Sequence, residues 1–220
     1  FPSNHSYESV LAEMLVAGLG INAMVWETSP AATELEERMM EWIGNNFGIP
    51  AGWKGVIHDT ASTSTLTAII SAREKYSQFK INQHGYNNFN ALTLYCSAQT
   101  HYSIEKGAKA AGIGLDNVIK IATDENYAMQ AAALEKQIQN DLAAGKQPFM
   151  VVAALGTTSS LAFDPLSAIS AICKKYNLWL HIDAAYAGAA FVLEEYQHYL
   201  NGIIDADSYV FNAHKWLFTN

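Results

Sequence analysis

Charged residues are scarce in this sequence. Only 15% of its 220 residues are Asp, Glu, Lys or Arg, whereas about 25% is typical of a soluble domain. Half of the residues are apolar, which is enough for a sizeable core and excludes a disordered chain. So little charge predicts that another domain or another subunit covers part of the surface.

Clusters of basic residues and long apolar runs are also absent. The 13 Lys and Arg are outnumbered by 21 Asp and Glu, for a net charge of −8, and they form no basic patch for nucleic acid. The longest apolar run, 184–193, is much shorter than the ~18 residues of a membrane span. We therefore expect neither nucleic acid nor a membrane as a partner.

Cysteine is rare, and no targeting signal is evident. Because Cys96 and Cys173 are the only two cysteines and form no CxxC, the sequence predicts neither a disulfide framework nor a cysteine metal site. We interpret both as small buried hydrophobic residues, one in a strand and one on a helix. The first six residues have the character of neither a signal peptide nor a transit peptide, so a cytoplasmic location is the default expectation.

The hydrophobic pattern alternates between short β-rich runs and helical periods. Several β-rich runs are apolar throughout, as expected for strands of a parallel sheet that is covered on both faces. This strand–helix–strand repetition predicts an α/β fold of three layers, α/β/α, with a mostly parallel sheet. No linker-like stretch divides residues 1–220, which we predict to be one domain. The predicted strands are 55–57, 92–96, 118–121, 149–155, 179–182 and 208–211, and the predicted helices lie near 5–19, 33–46, 62–78, 102–112, 127–143, 164–176 and 188–200.

Small, hydroxyl-bearing and ionisable side chains follow five of the predicted strands. The carboxyl ends of parallel strands meet at one edge of a sheet, and ligands bind outside that edge. These segments therefore predict a pocket. They are 59–62, 97–101, 156–158, 183–185 and 212–215.

Three of these segments indicate a chemistry. Residues 61–65 open a helix, where free N–H groups and the helix dipole suit a phosphate; a polar N-cap with surface threonines is the alternative. Asp183 follows a buried strand, where a carboxylate needs a cation or strong donors; alternatively it caps the next loop. Lys215 lies between aromatic residues, where desolvation would lower its pKa and favour the amine that condenses with carbonyls. The alternative is a surface lysine with an extended side chain.

A phosphate site, a buried carboxylate and a desolvated lysine together fit one cofactor well. Pyridoxal phosphate needs a phosphate cradle, an acidic partner for its ring nitrogen and a lysine for a Schiff base. His101 is able to stack on such a ring, although a structural histidine is the alternative.

Three segments carry a resemblance to a known family. SPAATELE (29–36), HIDAAYAG (181–188) and NAHKWL (212–217) resemble the signatures of the group II pyridoxal-phosphate amino-acid decarboxylases, and most closely those of the aromatic-L-amino-acid decarboxylases. The resemblance covers essentially the whole chain. It implies the large domain of a fold-type I pyridoxal-phosphate-dependent transferase and a homodimer with the active site at the interface. Ala213 stands where the family usually has Pro, a change that removes no functional group.

The resemblance also implies roles for individual residues. Lys215 would hold the cofactor as a Schiff base, and Asp183 would pair with the ring nitrogen. His101, the third catalytic residue, would stack on the ring and help to place the substrate, while Ala185 would pack on the opposite face. The other cofactor-binding residues would be Ala61, Ser62, Asn212 and His214 at the phosphate and Thr158 near the ring substituents. The substrate-binding residues would be Ser3, Met24, Trp26 and His101, with Met24 and Trp26 in a segment that helps to form the pocket across the dimer interface.

The activity implied is decarboxylation of an L-amino acid, aromatic by resemblance, to the amine and CO2. The alternatives are a decarboxylase of glutamate, histidine or diaminobutyrate, an aromatic aldehyde synthase on the same scaffold, and, from another class, a non-catalytic homologue that binds pyridoxal phosphate. In the family, a mobile loop with a Tyr separates decarboxylation from aldehyde formation, and we expect that loop beyond residue 220. We expect the chain to be a truncated large domain, without the N-terminal segment and the small C-terminal domain of the family.

Two weaker motifs are explained without a further cofactor. GLGINA (18–23) matches the dinucleotide pattern GxGxxA, but it ends a helical pattern instead of joining a strand to a helix. We therefore expect a glycine C-cap there. His181 and Asp183 are a weak metal pair, and the seven histidines include no HExxH, so we predict no metal site.

Overall fold

The computed structural model describes residues 5–87 and 89–219. The helices and strands follow one another much as the hydrophobic pattern predicts. The α-helices are α1 (Tyr7–Leu19), α2 (Pro30–Asn46), α3 (Ala61–Ser77), α4 (Lys80–His84), α5 (Ser103–Ala110), α6 (Ala131–Ala143), α7 (Leu166–Tyr176) and α8 (Ala213–Trp216). The strands are β1 (Leu92–Ser97), β2 (Val118–Ile121), β3 (Gln147–Ala154), β4 (Trp179–Asp183) and β5 (Ser208–Val210). Short 3-10 helices span Leu115–Asn117, Gly188–Val192, Glu194–Leu200 and Ile203–Asp205.

The strands form one parallel sheet in the order β2-β1-β3-β4-β5. The central strand β3 is buried at every position after Gln147, and β1 is buried along its whole length. These are the runs whose sequence is apolar without alternation, because both of their faces are covered. The prediction of a three-layer α/β/α fold with a mostly parallel sheet is confirmed.

Each face of the sheet has its own hydrophobic core. Helices α3, α4 and α5 pack on one face, where Leu94 and Cys96 of β1 contribute to the core. Helices α6 and α7 pack on the other face with Tyr95, Leu180 and Cys173. Neighbouring residues of a strand point to opposite faces, so β1 contributes to both cores. Both cysteines are buried, one in β1 and one on α7, as the sequence predicts.

Two predictions of local structure are wrong. Residues 55–57 are not a strand: no described strand pairs with them, and Val56 and Ile57 are 62% and 63% exposed. A strand requires a pleated, half-buried surface, whereas here the Ile57 N–H donates to the carboxylate of Glu36. The segment near 188–200, predicted as an α-helix, consists of two 3-10 helices. The prediction was wrong because residue periods of 3.0 and 3.6 are hard to distinguish in so short a run.

Helix α1 lies on the surface and buries none of its side chains. Leu11, Met14 and Leu15 are among its exposed apolar residues. The helix ends at Gly20, which has the left-handed φ of 59° and donates its N–H to the Ala17 carbonyl, so the predicted glycine C-cap is confirmed. Among the described helices, none is both long and apolar enough to cross a membrane.

The order of the strands determines where a ligand can bind. The chain runs from β1 to β2 on one side and then returns to place β3 on the other side of β1. The connections therefore leave β1 and β3 in opposite directions, which opens a crevice at their carboxyl ends. The loops after β1, β3, β4 and β5 and the start of α3 surround this crevice.

Candidate active site

One cavity of about 530 Å³ lies at the carboxyl edge of the sheet. Its volume is in the range of small-molecule sites. Because the strands are parallel, their polar ends meet there, as the sequence predicts. Nine residues that were predicted to bind the cofactor line this cavity: Ala61, Ser62, His101, Thr158, Asp183, Ala185, Asn212, His214 and Lys215.

The N-terminus of α3 forms one wall of the cavity. Its N-cap is Thr60, whose Oγ1 accepts the N–H of Thr63 at 3.2 Å. The N–H groups of Ala61 and Ser62 belong to the first turn, where no helical carbonyl is available to accept them. Thr60 therefore takes the capping role that the sequence left open, and the first turn presents N–H groups and a positive dipole end that suit a phosphate.

Asp183 is the last residue of β4 and lines the cavity. Its Oδ1 accepts the backbone N–H of Ala185 at 3.1 Å. The carboxylate therefore does cap the following loop, as the alternative interpretation held. The same contact fixes the side chain at the edge of the cavity, so the two interpretations are compatible.

Lys215 lies in the single-turn helix α8, directly after the sheet's edge strand β5. Asn212 opens this turn by accepting the N–H of His214 on its Oδ1 at 3.3 Å. Burial lowers the pKa of Lys215, and the negative charge of Asp183 opposes the shift. Lys215 is thus half-buried and lines the cavity, which excludes the interpretation of a lysine extended along the surface.

His101 approaches the cavity from the loop after β1. Its Nδ1 accepts the backbone N–H of Ser103 at 3.2 Å and lies 2.9 Å from the Ser103 hydroxyl oxygen. In the neutral imidazole, the proton is therefore on Nε2. Burial lowers the pKa of His101, which favours this neutral form; Asp183 raises that pKa, and Lys215 and Lys106 lower it.

The loop after β3 is held to the loop after β1 by hydroxyl groups. The Thr157 Oγ1 lies 2.8 Å from the Ser160 Oγ and accepts the N–H of Ala162 at 3.2 Å. Ser160 in turn donates to the Gln99 amide oxygen at 3.3 Å. These contacts fix the loop that carries Thr158.

Sequence reasoning missed Tyr102, which also lines the cavity. Its position directly after His101 was the available signal. The Tyr102 ring centroid lies 4.2 Å from that of His101. The Lys106 Nζ lies 4.3 Å from the centre of the Tyr102 ring.

Of the predicted substrate residues, His101 lines this cavity, whereas the structure does not bring Met24 and Trp26 to it. Met24 and Trp26 are 78% and 54% exposed, and neither lines the cavity. Ser3 lies outside the described residues.

The residues of the cavity fit pyridoxal phosphate. The start of α3 suits the phosphate, the Asp183 carboxylate suits a protonated ring nitrogen, and the half-buried Lys215 amine suits the aldehyde carbon. No group of three or more potential metal ligands occurs among the described side chains.

Comparisons with known proteins find relatives that match the whole of this chain. The family model described as the pyridoxal-dependent decarboxylase conserved domain matches residues 1–220. Phenylacetaldehyde synthase of Arabidopsis thaliana is 42% identical, over 100% of this chain and 46% of its own length. Aromatic-L-amino-acid decarboxylase of Bos taurus is also 42% identical, over 100% of this chain and 47% of its own length.

A solved structure is similar throughout the chain. The crystal structure of Catharanthus roseus tryptophan decarboxylase in complex with L-tryptophan has a TM-score of 0.92 and 38% sequence identity, and the match covers 100% of this chain and 47% of that chain. The chain spans about half the length of the curated relatives it matches.

Proposed function

The chain belongs to the pyridoxal-dependent decarboxylase family, and on that premise we propose that it is the cofactor-binding domain of a larger enzyme. This enzyme would use pyridoxal 5'-phosphate to decarboxylate an aromatic L-amino acid to its amine and CO2. The observation that carries the proposal is the meeting of Lys215, Asp183 and the start of α3 at one cavity. The matched relatives are about twice as long as the chain, which supports a larger enzyme.

Different residues of the cavity would bind different groups of this cofactor. When bound, pyridoxal phosphate accepts the electron pair that is left behind as CO2 departs. The first turn of α3, with Asn212 and His214, would bind its phosphate. Lys215 would hold its aldehyde carbon covalently, and the lowered pKa of Lys215 increases the fraction of neutral amine that can do so.

The remaining side chains control the ring and its protons. The Asp183 carboxylate would keep a proton on the ring nitrogen, because the two charges stabilise each other. His101 and Ala185 would enclose the ring from opposite faces, with Thr158 near its substituents. The neutral His101 would present its Nε2–H to the cavity and so help to place the substrate.

An aromatic substrate is supported by the matched relatives. Their names refer to phenylacetaldehyde, to aromatic L-amino acids and to tryptophan. An aldehyde synthase is the second candidate, because a phenylacetaldehyde synthase is as similar to this chain as an aromatic-amino-acid decarboxylase.

Exposed apolar side chains support a homodimer. Helix α1 buries none of its residues, and Met24 and Trp26 lie exposed in the segment that follows it. So many exposed apolar residues are typical of an interface. We propose that this surface packs against a second copy, where Met24 and Trp26 help to complete the substrate pocket, and that the enzyme is cytoplasmic.

Trapping of the cofactor tests this proposal. The full-length protein would be loaded with pyridoxal phosphate, reduced with borohydride and digested, and the labelled peptide would be identified by mass spectrometry. We expect the label on Lys215; a label on any other residue contradicts the proposal. The Lys215→Ala variant should give no label.

Product analysis separates the candidate activities. Amine and CO2 from an aromatic amino acid are expected for the decarboxylase, whereas aldehyde in place of amine would identify the synthase. Cofactor bound at Lys215 without release of CO2 from any amino acid would identify a non-catalytic homologue.

A further inference from the structure

A buried histidine lies beside Asp183 on the same strand. His181 and Asp183 are two residues apart on β4, and alternate residues of a strand share a face. Their neighbour Trp179 packs into the core formed with α3 and α5, so all three side chains lie on that face of the sheet. His181 is only 1% exposed. The function proposed above gives a role to Asp183 and none to His181.

A chain of hydrogen bonds fixes the tautomer of His181. The Trp179 indole can only donate, and its Nε1–H donates to the Ser208 Oγ at 2.8 Å. The His181 Nδ1 lies 2.8 Å from the same oxygen. Among the described residues, Nδ1 is the only acceptor at hydrogen-bonding distance from the Ser208 hydroxyl, so Ser208 donates to Nδ1. The proton of the neutral ring is therefore on Nε2.

The second nitrogen of the His181 ring, Nε2, is a hydrogen-bond donor. The His181 Nε2 is buried, and no acceptor within the described part of the chain lies at hydrogen-bonding distance. Buried donors are usually paired, to protein or to an ordered water. The charge that acts on His181 is that of Asp183, and burial lowers the pKa of His181 to about 4 in spite of it. The ring is thus a neutral donor next to the carboxylate.

We propose that His181 is a positioning residue for Asp183, whose carboxylate it supports with its Nε2–H through one bridging water. The described residues include no direct hydrogen bond to the His181 Nε2, and water-mediated bonds are nearly as favourable as direct ones. Trp179 and Ser208 hold the imidazole in the tautomer that can donate. The support keeps the Asp183 carboxylate aimed at the ring nitrogen of the cofactor, so this inference rests on the proposed function.

Two substitutions at position 181 test the roles of the two ring nitrogens separately. The amide of Asn reaches the position of Nδ1, so His181→Asn keeps the contact with Ser208 and removes the Nε2 donor. The amide of Gln reaches the position of Nε2, so His181→Gln keeps a donor there. The full-length protein would be loaded with pyridoxal phosphate labelled with ¹⁵N in the ring. The cofactor affinity and the ¹⁵N chemical shift, which reports the proton on the ring nitrogen, would then be measured.

We expect His181→Asn to weaken cofactor affinity about tenfold, as the loss of a hydrogen bond to a charged group does, and to shift the ¹⁵N signal toward the unprotonated ring. His181→Gln should remain within about threefold of the parent protein with an unchanged signal. A parent-like His181→Asn overturns the inference, as does a His181→Gln variant that behaves like His181→Asn.

Two further variants keep the test decisive. Ser208→Ala preserves the imidazole but releases its tautomer, so it should shift the ¹⁵N signal in the same direction by a smaller amount. If His181→Asn does not fold, an unchanged signal in Ser208→Ala overturns the inference. Asp183→Asn should remove the proton from the ring nitrogen altogether; if the ¹⁵N signal does not change, the role proposed for Asp183 fails. If Asp183→Asn changes the signal strongly and the His181 variants do not, only the inference about His181 is contradicted.

Discussion

The rings of His101 and Tyr102 are in contact, with centroids 4.2 Å apart and an angle of 43° between the ring planes. The Ser103 N–H and hydroxyl hold His101 through its Nδ1, while Tyr102 packs against its ring. The ammonium of Lys106 lies over the Tyr102 ring, a favourable cation–π arrangement. The histidine that is proposed to stack on the cofactor is therefore held in place by its neighbours in sequence.

Loss of the Tyr102 ring should weaken cofactor binding. An aromatic pair contributes about 0.5–1.5 kcal/mol beyond its buried area, so Tyr102→Ala should lower cofactor affinity roughly three- to tenfold. Tyr102→Phe keeps the ring and is the matched control. Titration of the full-length apoenzyme with pyridoxal phosphate measures both. Equal losses in the two variants would assign the effect to the hydroxyl and contradict the stacking argument.

Asp164 should make stability fall as the pH rises from 4 to 6. Its two oxygens accept the N–H groups of Ala154 and Met129, each at 2.7 Å, but burial raises its pKa from 3.8 to about 6. Between these values the folded state binds more protons than the unfolded state, so stability is lost as pH increases, by roughly 3 kcal/mol. Urea unfolding at several pH values measures this contribution as the difference between the parent protein and Asp164→Asn.

The Asp164→Asn variant has a second expected effect. An amide can accept only one of the two N–H groups, so unfolding should become about 1–3 kcal/mol easier. The stability of Asp164→Asn should also fall less than that of the parent protein between pH 4 and pH 6, because the contribution of the Asp164 carboxyl to this fall is removed. Asp116→Asn, at an exposed position, is the control. The argument fails if the difference between the Asp164 variant and the parent is constant from pH 4 to pH 6.

The sheet and most of the cavity were predictable because each rests on a short-range signal. Apolar runs such as 149–155 are long enough to identify buried strands, and parallel order then brings their polar ends together. The shorter run 55–57 also lacks polar side chains, yet whether a strand forms depends on a neighbouring strand to pair with, which the local sequence does not specify.

Contacts between distant segments were not predictable. The chain from Trp179 through Ser208 to His181 joins residues 27 or more positions apart, and it exists only because β4 and β5 are adjacent in register. Likewise, the helical period identifies α1 but does not reveal that none of its side chains is buried. Whether its exposed apolar residues are covered depends on other parts of the assembly, and, apart from the family resemblance, the low charge of the sequence was the signal of such a surface.

Tyr95 should contribute to stability without contributing to catalysis. Its ring is fully buried in β1, and its hydroxyl donates to the Asp141 carboxylate at 2.9 Å. Burial raises the pKa of Tyr95, so the hydroxyl remains a donor. Tyr95→Phe leaves the buried Asp141 with one bond fewer and should cost about 1–3 kcal/mol in unfolding free energy.

The readouts for Tyr95→Phe are the melting temperature and the cofactor affinity of the full-length protein. We expect a lower melting temperature with unchanged affinity, because Tyr95 does not line the cavity. Tyr127→Phe, at an exposed tyrosine, should change neither. A drop in cofactor affinity for the buried variant would show that Tyr95 also acts on the site.

Gly156 should be the least replaceable residue in the loop after β3. Its φ of +78° is unfavourable for other residues, and an added Cβ would overlap the Cβ of Ala187. Gly145 is a matched control, since its φ is +75° but an added Cβ meets no described atom within 4 Å. Gly145→Ala should therefore cost only the backbone strain, about 1–2 kcal/mol, whereas Gly156→Ala should cost more and displace Thr157 and Thr158. Unfolding free energies and cofactor affinity measure the two effects. If both variants lose the same stability and neither loses affinity, then close packing against Ala187 does not shape the site.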